Sequence, residues 1–396
     1  MDVYVTGLGM ISALGPDVAA ALNGLVLGRS GLGPIRQVET RLQGRFVAGE
    51  VPLSDAALAA RAALPDADLT RTTLLGYLAA REAWQSAGLG ANDTARTGFI
   101  SASTVGGTGH AERYYQAFLS EQLTPAFIDT YDNADSTEFV ARHLGIRELV
   151  TTVNTACASS ANAVVLGARL IRQGVLDRVV VGGADALARF TLNGFNALLL
   201  LDPEPCKPFD ADRKGINLGE GAAYLVLESE AVAHRRGAPL RARLSGYGLT
   251  NDAHHQTASS PTGYGLRLAM RQALRRADLA PAAIGYLNAH GTGTANNDVT
   301  EGAAIKEVFG CAVPPFSSTK PFTGHALGAA GAIEAVVSVL ALTHGLVWPN
   351  LHFEHPIPEH GLVPARLLQK APGLRHVLST SAGMGGTCCA LLFSQP

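Results

Sequence analysis

Short apolar runs alternate with segments of helical spacing along the whole chain. The apolar runs of strand length include residues 3–6, 98–101, 149–153 and 178–182. Residues 74–87 and 158–173 have the spacing of helices, and Gly174 after the second segment is a typical helix stop. Apolar strands separated by helices predict a layered α/β architecture with a largely buried sheet.

One long segment, residues 326–342, is apolar enough to be considered as a membrane-spanning helix. It contains Glu334 and many glycines and alanines, which is typical of a helix buried in a protein core. The opening residues, MDVYVTGLGMIS, place no basic segment before an apolar one and so differ from a signal peptide. We therefore expect no membrane span and a cytoplasmic location.

The pattern also occurs twice. In the first half a strand, Cys157 and a small-residue helix are followed about sixty residues later by GEGAAYLVL at 219–227. In the second half SSTK, a glycine turn and a small-residue helix are followed about sixty residues later by GGTCCALLF at 385–393. Order and spacing agree although the residues differ, which predicts a duplication into residues 1–235 and 236–396, packed as one body.

Composition narrows the class of protein. The 396 residues are 47% hydrophobic and 16% charged, and the net charge is −2. These values favour a large packed core and exclude both disorder and a basic surface for nucleic acid or anionic lipid. The five cysteines, none at C-x-x-C spacing, are Cys157, Cys206, Cys311, Cys388 and Cys389. An odd count without zinc spacing indicates free thiols in a reducing compartment.

Cys157 is a candidate nucleophile in the segment VNTACASS, between an apolar strand and a small-residue helix. A thiol at the start of a helix lies near the positive end of the helix dipole and near unpaired N–H groups, and both favour the thiolate. Its small neighbours allow a sharp turn and leave room for a substrate. The alternative is a small buried core residue, which is the commonest fate of a free cysteine.

Two histidines lie in similar surroundings. His290 leaves an apolar strand into the loop GTGTANND, and His325 lies at a strand–turn–helix junction in TKPFTGHALGAAG. Each one alone could be a structural histidine held by hydrogen bonds. Together with Cys157, also at a strand end, they suit nucleophilic acyl chemistry, which needs an activated thiolate and donors for a developing oxyanion.

Other motifs give weaker signals. Gly7-Leu8-Gly9 follows a strand but lacks the third glycine and the acidic partner of a dinucleotide loop, and His254-His255 lacks partners at metal-binding spacing. The sequences G-x-S-x-G, H-E-x-x-H and the Walker loop do not occur. We therefore expect no metal site and exclude three common enzyme classes.

Four ordered motifs resemble those of the elongating β-ketoacyl–acyl-carrier-protein synthases. They are the Cys157 segment, HGTGTANND, TKPFTGHALGAAG and the closing SAGMGGT, and residues 206–228 are similar too. The resemblance covers nearly the whole chain. It implies decarboxylative condensation of a malonyl carrier protein with an acyl chain. It also implies the thiolase fold, a duplicated five-layered α-β-α-β-α body, in a homodimer or in a heterodimer with a chain-length factor.

The resemblance implies a role for five catalytic-site residues. Cys157 is similar to the nucleophile that accepts the acyl chain. His290 and His325 are similar to the pair that assists malonyl decarboxylation and stabilises the enolate. Lys320 and Glu301 are similar to the active-site lysine and to the acidic residue of the surrounding network.

It also implies the residues that bind the substrate. Thr292 and Thr294 are similar to residues that hold the pantetheine arm. The backbone N–H groups of Cys157 and Met384 would form the oxyanion hole. The family uses no cofactor beyond the phosphopantetheine that arrives on the carrier protein.

The closing motif departs from the family pattern. Ala382 and Met384 stand where the family usually has two phenylalanines, so we expect Ala382 to open a large space unless neighbours fill it. A different acyl specificity should follow. The stretches 190–196 and 251–261 are more similar to ketosynthases of aryl-polyene or flexirubin pigment pathways than to housekeeping enzymes.

The carrier-protein docking surface also differs. Residues 65–68, PDAD, are acidic where related enzymes often carry basic residues for the acidic carrier protein. We therefore assign docking to Lys207, Arg213 and Lys214.

Two other functions stay open. A chain-length-factor-like subunit would shape a partner's pocket without catalysis, but such subunits lack the nucleophile that Cys157 supplies. A thiolase would condense without decarboxylation and use a second cysteine as base. Cys388 and Cys389 lie near the expected region, although without the C-x-G context, and the histidine pair fits decarboxylation better.

Overall fold

The computed structural model describes residues 1–64, 68–90, 94–120 and 126–396. Most of the acidic stretch at 65–68 therefore lies outside the described residues, and its expected effect on docking stays a prediction. All five cysteines are free thiols.

The described residues form strands and helices in alternation. The strands are β1 (Val3–Ser12), β2 (Gly33–Pro34), β3 (Val47–Ala48), β4 (Thr97–Ala102), β5 (Leu149–Val153), β6 (Arg178–Asp185), β7 (Gly221–Ser229), β8 (Ala242–Asn251), β9 (Tyr286–Asn288), β10 (Phe316–Ser317), β11 (Leu346–Val347), β12 (Gln369–Lys370), β13 (His376–Ala382) and β14 (Thr387–Ser394). The α-helices are α1 (Val18–Val26), α2 (Asp55–Ala62), α3 (Arg71–Ser86), α4 (Thr108–Leu119), α5 (Ala126–Asp129), α6 (Asn133–His143), α7 (Ser159–Arg172), α8 (Arg189–Ala197), α9 (Glu230–Arg235), α10 (Tyr264–Ala277), α11 (Ala295–Phe309), α12 (Lys320–Thr323) and α13 (Ala330–His344). Short 3-10 helices lie at Pro281–Ala283 and Leu327–Ala329.

Ten strands form one continuous sheet in the order β10-β9-β13-β14-β8-β1-β7-β6-β4-β5. From β1 outward, two antiparallel pairings, β1–β7 and β7–β6, are followed by two parallel ones, β6–β4 and β4–β5. From β8 outward the same directions recur in β8–β14, β14–β13, β13–β9 and β9–β10. This repeated topology is the duplication expected from the sequence.

Helices and the two halves of the sheet alternate in five layers. Helices α7 and α13 pack against each other in the centre, between the inner faces of the two halves. Helices α3 and α6 cover the outer face of the first half, and α10 and α11 cover that of the second. The expected α-β-α-β-α arrangement is therefore confirmed.

Glycines in β1 and β8 let a helix backbone cross very close to the sheet. A Cβ on Gly9 would lie 1.9 Å from the carbonyl oxygen of Ala79 in α3, and one on Gly248 would lie 1.9 Å from that of Ala269 in α10. Only glycine fits at such contacts. The strand expected at 3–6 therefore runs on to Ser12, because its glycines admit a helix rather than end the strand.

The apolar segment near residue 330 is the central helix α13. Among the described residues one helical stretch, Leu327–His344, has the length and hydropathy of a membrane span, and 89% of it is buried inside the protein. Helix α13 begins at Ala330 rather than at 326. The reason is that Leu327 takes a left-handed φ of 48° and donates its N–H to Nδ1 of His325.

Candidate active site

Cys157 lies at a sharp turn between β5 and α7. Ala156, just before it, has a φ of 53°, in the left-handed region that L-residues rarely adopt. Oγ of Ser159 accepts the N–H of Thr155 over 2.8 Å and donates to the carbonyl of Ala156, which holds the turn. The turn predicted from the small neighbours of Cys157 is confirmed, and the side chain is 9% exposed.

Cys157, His290 and His325 line one cavity of about 240 Å³. Cys157 follows β5, His290 follows β9 and His325 follows β10. Because β5 and β10 are equivalent strands of the duplication, the thiol and one imidazole come from corresponding positions in the two halves. The other lining residues include the predicted substrate-binding residues Thr292, Thr294, Ala382 and Met384.

Both imidazoles have their Nδ1 atoms occupied. The N–H of Leu327 donates to Nδ1 of His325 over 3.1 Å, and Nζ of Lys320 lies 3.2 Å from Nδ1 of His290. Since an ammonium group only donates, Nδ1 of His290 also acts as an acceptor. A neutral ring that accepts through Nδ1 carries its proton on Nε2, so each ring has an Nε2–H for a bound molecule.

Burial keeps both rings neutral. The pKa values of His290 and His325 lie well below 6.5 because burial disfavours the imidazolium, and the charge of Lys320 adds to this effect. The rings are nearly perpendicular, with centroids 5.4 Å apart. The site therefore offers two neutral N–H donors at neutral pH.

Lys320 connects His290 to a carboxylate that the sequence analysis did not assign. Its Nζ lies 2.5 Å from Oε1 of Glu334 and also donates to the backbone carbonyl of His290. Both charged side chains are buried, and burial raises the pKa of Glu334 to about 7 against the attraction of Lys320. A buried charge needs a partner, so the lone glutamate in an apolar helix was the signal for this pair.

Glu301 lies behind His290. Its carboxylate accepts the backbone N–H groups of His290 over 2.9 Å and of Gly291 over 2.8 Å, and the hydroxyl of Thr380 over 2.8 Å. Neither Glu301 nor Lys320 is among the described residues that line the cavity. The structure therefore places both as positioning residues for His290.

The thiol does not have the low pKa expected from its place at the start of α7. The charge of Lys320 and the backbone N–H groups of Met384 and of Cys157 itself favour the thiolate. Burial outweighs them and raises the pKa of Cys157 to about 11. The expectation of a ready thiolate is therefore wrong for the free protein. The two N–H groups that contact the thiol are those predicted for the oxyanion hole.

Alkylation of Cys157 should reveal this raised pKa. Iodoacetamide reacts with the thiolate, so the rate should rise about tenfold per pH unit between pH 7 and 10. Free cysteine, with a pKa of about 8.5, should level off above about pH 9. The rate is measured from the mass of the peptide containing Cys157, with the C157A variant as background. A plateau already below pH 8 would contradict the effect of burial.

The two threonines predicted to hold the substrate arm are joined to each other. Their hydroxyl oxygens lie 2.8 Å apart, and both residues line the cavity. Asp298 lies buried beneath their loop and accepts the N–H groups of Thr292 over 3.1 Å and of Gly293 over 3.2 Å. Asp298 is therefore a further positioning residue, which the sequence analysis quoted in its motif but did not assign.

Ala382 lines two cavities. One contains Cys157, and the other, which Leu266 and Cys388 also line, measures only about 10 Å³. A space of that size holds about one water molecule. Almost no free space therefore lies on the side of Ala382 that faces Leu266 and Cys388, whereas its other side borders the cavity with Cys157.

The three residues assigned to carrier-protein docking differ in how free their side chains are to bind a partner. Arg213 donates to the backbone carbonyls of Thr294, Asp210 and Ala295, beside the cavity. Nζ of Lys207 lies 3.5 Å from a carboxylate oxygen of Glu354, whereas Lys214 is exposed. Arg213 thus supports the threonine loop.

The vicinal cysteines lie outside this site. Neither Cys388 nor Cys389 is among the described residues that line the cavity with Cys157. Burial raises the pKa of Cys388 to about 12 and that of Cys389 further still. Neither is placed to act as the second cysteine of a thiolase. The described chain also contains no cluster of three or more metal-ligating side chains.

Comparison with known proteins matches almost the whole chain. The family models described as beta-ketoacyl synthase, N-terminal domain, and beta-ketoacyl synthase, C-terminal domain, match residues 1–233 and 241–354. Nodulation protein E of Rhizobium meliloti strain 1021 is 36% identical, over 99% of this chain and 99% of its own length. The 3-oxoacyl-[acyl-carrier-protein] synthase 2 of Staphylococcus aureus strain N315 is 33% identical, over 99% and 98%.

Solved structures share the fold along the full length. The ishigamide ketosynthase/chain length factor has a TM-score of 0.93 at 34% identity, over 100% of this chain and 99% of its own. A type II polyketide synthase acyl-carrier protein in complex with its ketosynthase gives a chain with a TM-score of 0.88 at 27% identity, over 100% and 99%. The similarity thus includes both halves of the duplicated sheet.

Proposed function

This chain belongs to the β-ketoacyl synthase family and is a condensing acyltransferase; we propose that Cys157 carries the acyl chain while His290 and His325 act on the malonyl extender. One observation carries this division. The thiol and two neutral imidazoles, each with Nδ1 occupied and Nε2–H available, line the same cavity.

In the first half-reaction, sulfur of Cys157 attacks the carbonyl carbon of an acyl thioester. The new C–S bond forms as the bond to the pantetheine sulfur breaks, and the departing thiol takes the proton that Cys157 loses. A thiol of high pKa is therefore compatible with acyl transfer, because no free thiolate needs to accumulate. The N–H groups of Cys157 and Met384 hold the oxyanion of the intermediate.

In the second half-reaction, the bond between the malonyl carboxylate and its α-carbon breaks and CO₂ leaves. The electron pair passes into an enolate, whose oxygen accepts the Nε2–H groups of His290 and His325. The α-carbon then attacks the acyl group on Cys157, and the C–S bond breaks as the new C–C bond forms. The product is a β-ketoacyl chain two carbons longer, and no step uses a metal or a redox cofactor.

The choice of extender tests this function. The protein acylated on Cys157 is offered malonyl or acetyl groups on an acyl carrier protein. We expect CO₂ release and elongation with malonyl and neither with acetyl. Elongation from the acetyl extender without CO₂ would indicate a thiolase, and a chain that accepts no acyl group would indicate a non-catalytic chain-length factor.

The two halves would contribute different parts of this site. We propose residues 1–235 as the half that supplies the nucleophile and 236–396 as the half that supplies both histidines. The equivalent strands β5 and β10, which precede Cys157 and His325, support this division. A cytoplasmic location would suit a protein with five free thiols.

The acyl and malonyl groups would arrive on an acyl carrier protein through phosphopantetheine. The solved complex of a related ketosynthase with its carrier protein supports this partner. Lys214 is exposed and Lys207 partly so, and both suit an acidic partner, whereas Arg213 is engaged by backbone carbonyls. Docking should therefore weaken more in K207E and K214E than in R213K.

We expect the chain to be a dimer, with itself or with a chain-length factor. Phe190, Leu198 and Leu199 are 71%, 50% and 87% exposed, and exposed apolar clusters mark interfaces. In the described sheet β5 pairs only with β4, so its other edge is available to a partner strand. Sedimentation should give about twice 41.1 kDa. A fully active monomer at micromolar concentration would contradict this, and a monomer activated by a second protein would favour the heterodimer.

The acyl substrate would be a long, conjugated chain of the polyene type. Ala382 and Met384 line the cavity beside Cys157 without an aromatic ring, and Met384 adapts its shape readily. Since the side cavity behind Ala382 is nearly filled, a phenyl ring at 382 would project into the main cavity.

The Ala382→Phe variant should therefore slow elongation of polyenoyl substrates roughly tenfold more than of short saturated ones. The measurement is the ratio of the two elongation rates, with Ala382→Val as a smaller control. Equal slowing of both substrates would show that residue 382 does not set specificity.

A further inference from the structure

A basic cleft lies at the seam between the halves, away from the active site. It measures about 320 Å³, and its charged residues are Asp2, Arg172, Arg243 and Arg276. Arg172 is the last residue of α7, whose first turn follows Cys157. A helix of this length separates the cleft from the thiol by roughly 20 Å. The condensation reaction therefore does not account for the cleft.

The arginines are held in place by β8 where that strand leaves β1. Strands β1 and β8 pair over only two residues, so carbonyls further along β8 need other donors. Nη2 of Arg172 donates to Leu244 over 3.1 Å and Nη1 of Arg276 donates to Tyr247 over 2.5 Å. The two guanidinium carbons also lie 5.1 and 4.8 Å from the centroid of the Tyr247 ring. The cleft is therefore preorganised.

After these contacts, the guanidinium groups still have N–H donors without a partner. A guanidinium has five N–H donors, and the Nε atoms of Arg172 and Arg243 are buried without a hydrogen-bond partner. Asp2, which lies 3.0 Å from Nη1 of Arg243, is the one carboxylate among the described residues that line the cleft. Three guanidinium groups thus face a single negative charge.

A histidine, His376, lies next to the arginines of the cleft. The pKa of His376 is lowered, first by burial and then by the charges of Arg243 and Arg375. Its Nδ1 lies 2.8 Å from Oγ of Ser394, which lies 2.6 Å from Oγ of Ser245 at the wall of the cleft. A chain of hydrogen-bonded side chains therefore connects His376 to the wall of the cleft.

We propose that this cleft binds a phosphate group, free or on a small polar molecule. Guanidinium groups match phosphate oxygens in paired N–H contacts, and their planar forks are already fixed here. The cleft, at about 320 Å³, is far larger than the one-water cavity beside Ala382 at about 10 Å³, which leaves room beside the phosphate for a polar remainder. Apart from Ala277 and Met1, the walls are polar, so an apolar ligand is disfavoured.

Calorimetric titration of the full-length protein with inorganic phosphate, at constant ionic strength, tests this site. We expect saturable binding with one phosphate per chain, and weakening by roughly tenfold or more in Arg276→Gln, since a hydrogen bond to a charged group is lost. Ala277→Glu keeps all three arginines and supplies a competing carboxylate, so it should weaken binding equally. Arg275→Gln, which removes an exposed arginine outside the cleft, is the matched control.

Two further ligands distinguish a soluble phosphate ester from a lipid headgroup as the natural ligand. Glycerol 3-phosphate should bind at least as tightly as inorganic phosphate if the ligand is a soluble ester, whereas selective binding to vesicles containing phosphatidic acid would identify a lipid headgroup. Absence of saturable binding would overturn the proposal. So would equal affinity in wild type, Ala277→Glu and Arg275→Gln, because binding would then lie elsewhere.

Discussion

The Cys157→Ala variant should lose both acyl labelling and chain elongation, with the elongation rate falling by at least roughly 10³-fold. The reason is that the acyl intermediate has no other nucleophile in the cavity: Cys388 and Cys389 are not among its described lining residues. The measurement is the mass of the peptide containing Cys157 after incubation with a short-chain acyl carrier protein, together with the rate of elongation.

Two cysteine variants serve as controls for this result. Cys311 is exposed, so Cys311→Ala should keep full activity. Cys388→Ala should also keep acyl labelling, because its thiol lies in the neighbouring small cavity with a pKa raised to about 12. An acyl group found on Cys388 or Cys389, or elongation by the Cys157→Ala variant, would refute the assignment of the nucleophile.

The His290→Ala and His325→Ala variants should still accept an acyl group on Cys157 but release CO₂ from malonyl thioester roughly 10²–10³ times more slowly. A loss of this size is typical when one donor to a developing oxyanion is removed. The measurement is a single turnover of malonyl carrier protein on pre-acylated protein, with CO₂ release and acylation followed separately.

A conservative variant distinguishes a hydrogen-bond donor from a merely structural histidine. Gln at position 325 keeps an amide N–H, so His325→Gln should recover part of the CO₂ release lost in His325→Ala. Glu301→Gln should slow CO₂ release without changing acylation, because its carboxylate holds the backbone of His290 and not the thiol. Normal CO₂ release from both alanine variants would contradict the proposed role.

The sequence alone predicted the duplicated fold of this protein and the main residues of its site. An apolar run, a cluster of small residues around Cys157 and a glycine stop after residue 173 are local signals, because turn and helix preferences depend on near neighbours. The matching order of motifs in the two halves likewise predicted the duplication that β1 and β8 display. The same motifs indicated the cysteine and both histidines that line one cavity.

Tertiary structure decided what those residues can do. The pKa of Cys157 depends on how much water the fold removes, and burial outweighed the helix start that the sequence displays. The partner of Lys320 is Glu334, fourteen positions away on another helix. Ala382 borders two cavities, of about 240 and 10 Å³, whose other walls come from residues distant along the chain. Burial and packing depend on groups that are distant along the chain, so they could be determined only from the folded structure. Turns and helix ends depend on neighbouring residues, so the sequence alone predicted them.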